Sequence, residues 1–181
     1  MSRWIGPEAA PALQDFWAVY EPNAARLQQL TRKVAERHPE FGPLMRARAG
    51  QPTESSDRGT ELLRRAIAGD WEAYEAHLRE QGRGYAKLGI SYAGWFDLMG
   101  EFQRELTERC IEAYVKEPAR LSRALGVLQT FMNRLMGVLG QEFLEAKERL
   151  LLEQRLISEE YAKETAASEA RYRLLFENSP I

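Results

Sequence analysis

Apolar residues recur along most of this chain at every third or fourth position, the period of a helix buried on one side. From Pro11 the residues Leu13, Phe16, Trp17 and Tyr20 fall on one stripe. Pro22 predicts a break, because proline lacks an amide donor and disfavours helix at Glu21. A second helix with an inner stripe of Leu27, Leu30 and Val34 follows and ends at His38-Pro39. Phe41, Leu44 and Met45 predict a short helical turn, and the Gly-, Pro- and Ser-rich residues 49–59 read as a loop. Residues 60–68 predict a short helix presenting Leu62, Leu63, Ala66 and Ile67, stopped by Gly69. Asp70 suits the N-cap of the next helix, on which Trp71, Tyr74, Leu78 and Tyr85 share a face that turns Tyr85 inward.

Two long runs close the chain. Ser91 caps the first, which extends to about Lys116 with Trp95, Met99, Phe102, Leu106, Cys110 and Ala113 in register. Glu117-Pro118 breaks it. In the last helix Leu121, Leu125, Leu128, Met132, Leu135, Leu139 and Phe143 form one stripe, and Ala124, Val127, Phe131 and Val138 a second. Two stripes exceed what one small domain covers, which predicts a parallel homodimer joined chiefly through 121–143 and part of 91–116. Gly126, Gly137 and Gly140 weaken a helix unless another approaches closely. Beyond Phe143, residues 144–170 are rich in Glu, Lys, Arg, Gln and Ala, with sparse apolar positions. They read as a helical connector able to pair as a weak coiled coil with a second chain. No segment alternates in the manner of a strand, so the expected class is all-α.

Composition narrows the function. The chain has 181 residues, with 25 Lys and Arg against 27 Asp and Glu. Near-neutral charge without a basic block argues against nucleic acid as a partner. A single cysteine, Cys110, forms no internal disulfide and fits a reducing cytoplasm. No signal-like start or membrane-length apolar run is present. No phosphate-binding loop, C-x-x-C pair or H-E-x-x-H motif occurs, so the expectation is a fragment that is not itself an enzyme.

The stretch 81–98, QGRGYAKLGISYAGWFDL, places Tyr85 four residues before Gly89-Ile90. This frame resembles the proximal segment of globin-coupled sensors, in which H-x-x-x-G carries the haem-ligating histidine. Residues 171–181, with RYRLLFENSPI, resemble the helical lead of a PAS domain. The resemblance implies an arm over 1–10, a globin-like helical body over 11–143, a connector over 144–170 and a truncated PAS start. It implies a sensory input domain of a longer signalling protein. Its closing helices would dimerise and relay to PAS and to an output such as a histidine kinase. The non-haem branch known from stressosome proteins keeps this fold without iron.

No cofactor is expected; the alternatives are a haem-based gas or redox sensor ligated through Tyr85 or His77, and a dimerisation bundle that binds no ligand. A phenol ligand needs a nearby cation, for which Arg83 and Lys87 are candidates. His38 stands at a helix end, where a capping role fits. Phe16, Trp17, Tyr20, Trp71, Tyr74, Leu78, Trp95, Met99 and Phe102, with Phe96, are candidates to line a pocket for a small flat apolar ligand. Core packing explains the same spacing.

Overall fold

The computed structural model describes residues 5–47 and 56–177, and every regular element among them is helical. Trp4, residues 49–55 of the expected loop and the last four residues of the PAS-like segment lie outside the described residues. After a 3-10 turn at Pro7–Ala9, helix α1 spans Ala10–Arg37 without interruption. The break expected at Pro22 is therefore absent. Burial on both sides of it, by Phe16, Val19 and Tyr20 before and Ala24 and Leu27 after, holds the two halves in one line. Asn23 donates its side-chain amide to the Val19 carbonyl at 2.8 Å, adding a bond where proline crowds the backbone. His38, in extended geometry, ends α1, and its N–H bonds the Val34 carbonyl.

Helix α2 (Phe41–Ala47) is the short turn its apolar triplet predicts, and α3 (Ser56–Ile67) starts inside the segment read as loop. Gly69, at φ 111°, stops that segment in the left-handed region. Asp70 takes the N-cap position of α4 (Trp71–Lys87) but makes no capping bond, because its carboxylate pairs with Arg65 instead. Gly89, at φ 77°, closes α4.

Helix α5 (Tyr92–Tyr114) begins where Ser91 accepts from the Gly94 N–H at 3.0 Å. The Ser91 N–H and hydroxyl both donate to the Glu40 carboxylate, at 2.6 and 2.7 Å. Negative charge at a helix start is the favourable arrangement. The inner face of α5 runs through Trp95, Leu98, Leu106, Cys110 and Tyr114, and the expected Ala113 is exposed, because a straight helix drifts off a strict heptad.

Pro118 opens α6, which continues unbroken to Glu177. Its 60 residues make it about 90 Å long. Helix α4 lies along α6, and α1 packs on both α5 and α6. The stripe expected at a dimer seam is instead inside the single chain. Leu128, Met132, Leu135, Leu139 and Phe143 are buried, and only Leu121 and Leu125 are half-buried. The sequence shows that the stripe is covered but not by which helix, and here α1, α4 and α5 cover it. From Leu151 to Leu174 every residue is exposed, so α6 leaves the body as an arm. No helix among the described residues is long and apolar enough to cross a membrane.

Candidate functional site

The aromatic set divides into two groups. In the first, the Phe16 ring lies 5.8 Å from Tyr20 and 5.6 Å from Phe131, and Phe131 stacks on Tyr74 at 6.1 Å. Trp71 meets Tyr74 edge-on, and Trp17 stacks on Tyr20 from the half-exposed side. Offset and edge contacts of this kind fill volume efficiently. In the second group Tyr85 lies 6.5 Å from Trp95, Tyr92 lies 5.9 Å from Trp95, and Tyr92 reaches Phe143 of α6 at 5.8 Å. Leu78 is buried, and Met99 and Phe102 are half-buried against the core. Phe96 stands outside it, more than half exposed.

Two hollows open on the surface instead. One, of about 690 Å³, runs between α3 and α4 past Leu62, His77, Glu80, Arg83 and Gly84. The other, of about 290 Å³, lies between Ile5, Leu13, Ile67 and Trp71. Neither is lined by Phe16, Tyr20, Tyr74, Tyr85 or Trp95.

Tyr85 is half-buried on the inner side of α4, and burial raises its phenol above the ordinary value. The anionic form that iron would need is therefore disfavoured. Arg83, the candidate cation, donates to Glu142 at 3.0 Å. His77 is buried, with its Nε2 3.1 Å from the Gln81 side-chain amide. His38 accepts the Glu40 N–H on Nδ1 at 3.2 Å. Among the described residues no three His, Cys, Asp or Glu side chains form a metal-binding group.

What the sequence reading missed is a pair of clamped carboxylates on either end of the packed part of α6. Asp15 of α1 is held by Arg120 at 2.9 Å and Arg123 at 2.8 Å. The Tyr114 hydroxyl donates to the Asp15 carbonyl beside it, at 2.8 Å. Glu142 of α6 is held by Arg79 at 3.1 Å and Arg83 at 3.0 Å, both from α4. Burial pulls both carboxyls upward, but the flanking guanidiniums outweigh it and hold each below its ordinary value. One signal was present in the sequence: Glu142 falls in the 4-3-4 register of Leu135, Leu139 and Ala146, where an unpaired charge is costly.

Between these clamps α4 touches α6 backbone to backbone. A Cβ at Gly82 would stand 2.6 Å from the Leu139 carbonyl oxygen and 3.2 Å from the Phe143 nitrogen. At Gly140 a Cβ would stand 2.6 Å from the Tyr92 hydroxyl. Gly126 and Gly137, expected to mark close helix contacts, have no atom within 4 Å of such a Cβ.

The arrangement can hold and position α6. No protein-family model matches the chain, and no curated protein is similar enough to count as a relative.

Proposed function

We propose that this chain is a cytoplasmic sensory or regulatory input domain, built as a non-haem globin-like body that works as a homodimer and passes its state along α6. The observation that carries the reading is the continuity of α6. One helix is core as far as Ala146 and bare from Leu151 to Leu174. A helix packed at one end and exposed over the following residues suits transmission by rotation or translation. The resemblance of its last residues to a PAS lead supports a PAS module and an output such as a histidine kinase as the receivers. A small apolar ligand bound at the body is the proposed signal.

The outer face of the body supports self-association. Gly126, Gln129, Asn133 and Gly137 on α6 are exposed, and Gln103 of α5 hydrogen-bonds Gln129 at 3.3 Å. Phe96, Gly100, Thr107 and Ile111 continue this uncharged strip along α5. Open glycines let a second copy approach at backbone distance, which replaces the buried leucine stripe as the proposed seam.

Inserting two or four residues near Gln154 in the full-length protein tests the reading. Altered output with helical phase supports it, and unchanged regulated output in both insertions rejects it.

A further inference from the structure

We propose that residues 139–143 of α6 are the pivot that sets the direction of the free arm, held in a collar made by α4 and α5. The inference rests on the transmitting role of α6 given above and assigns where its control is exerted. Three independent contacts meet on these five residues. The α4 backbone presses on them at Gly82, where a side chain of even one carbon has no room against the Leu139 carbonyl. The Tyr92 hydroxyl of α5 presses on Gly140 from another side, while its ring lies 5.8 Å from Phe143. Arg79 and Arg83, three residues before and one after Gly82, grip Glu142.

The collar sits where mechanical control is greatest. Ala146 is the last buried residue of α6, in a cluster with Ala86 of α4 and Phe143, and every residue from Leu151 to Leu174 is exposed. The direction of the arm is thus set by this last packed stretch, in which residues 139–143 carry the backbone and ionic contacts. The same end of α4 carries Tyr85, whose ring faces Trp95, which in turn faces Tyr92. A change in packing around Tyr85 therefore reaches Gly140 through two ring contacts and reaches Leu139 through the α4 backbone itself. Packed contacts of this kind switch between discrete arrangements rather than bending smoothly.

The test is a distance measurement between spin labels at Lys33→Cys on α1 and Lys163→Cys on the arm, both at exposed positions. The chain is diluted with unlabelled copies so that only pairs within one molecule are read. Cys110 is fully buried and its thiol is pushed up to about 11 by burial, so it stays unlabelled in the folded protein. The unaltered collar is expected to give one narrow distance distribution. Glu142→Gln is expected to broaden it, and Gly82→Ala to shift its maximum. Arg64→Gln, which breaks an ion pair with Glu21 away from the collar, is expected to leave it unchanged. Should Gly82→Ala fail to fold, Arg83→Gln takes its place, with broadening expected. Folded collar variants that keep the original distribution overturn the proposal. The readout needs no output domain, so its failure is separate from failure of the signalling reading, which the insertions near Gln154 report.

Discussion

The α-carbon of Gly82 lies so near α6 that a methyl group there would stand 2.6 Å from the Leu139 carbonyl oxygen. Gly84, two residues on in the same helix, faces open space. Alanine at the two sites therefore has opposite effects. Gly84→Ala gains helix propensity, about 0.5 kcal/mol this close to the helix end. Gly82→Ala gains the same term but forces two backbones apart, a cost of about 1–3 kcal/mol. Thermal melts are expected to show Gly84→Ala slightly raised and Gly82→Ala lowered by several degrees. Equal behaviour of the two would show that α4 and α6 are not in backbone contact.

The clamped carboxylates predict acid sensitivity. Asp15 and Glu142 have folded values below their ordinary 3.8 and 4.5. Their contribution is fully present above those ordinary values and is lost as pH falls through the lowered folded ones. Melting temperature is expected to fall as pH is lowered through the carboxylate range. In Asp15→Asn with Glu142→Gln it starts lower, by about 1 kcal/mol of stability per site after solvent screening of the half-exposed arginines. It then falls less steeply with acid. A double variant with the unaltered slope would place the acid response elsewhere.

Self-association is read by light scattering at micromolar concentration, where a dimer is expected. Gly126→Arg and Gly137→Arg put charge on an open face and are expected to give a folded monomer. Leu128→Glu is expected to unfold the chain instead, since Leu128 is buried within one copy. A monomer before any substitution, or dimers in both arginine variants, contradicts the proposed seam.

Titration with hemin checks the absence of a cofactor. Burial holds the Tyr85 phenol in its neutral form, and Arg83 is engaged by Glu142. Protein is expected to purify colourless and to gain no saturable Soret band. A one-to-one band that disappears in Tyr85→Phe would establish the haem reading.

How much of this was legible follows from how local each signal is. Gly69, Ser91 and Pro118 mark helix ends through their own backbone chemistry, and each boundary falls where the sequence places it. Pro22 carries an equally local signal for a break, yet burial of Phe16, Val19, Ala24 and Leu27 around it decides otherwise. The apolar stripe of α6 is readable as covered, but periodicity carries no information on whether the cover is the same chain or another. Asp15 is the hardest case. Its partners are 105 and 108 residues away, and nothing near it in sequence announces them. For the pocket, the spacing of Phe16, Tyr20, Trp71 and Tyr74 fixes only that the rings point inward. That the α1 rings and the α4 rings come together is a matter of Phe131 of α6, which Phe16 and Tyr74 both contact.

The unbroken passage of α6 from core to solvent has a consequence for how the arm exists at all. Starting a helix is costly and extending one is cheap, so short polar segments are marginal helices on their own in water. The arm inherits its first turns ready-made from the packed part of α6 and only has to propagate them. Its helical start is thus supplied by the body. Cut free as a peptide, residues 147–174 lose that inherited start and have to nucleate alone, so circular dichroism is expected to show less helix in the peptide than the same residues hold in the chain.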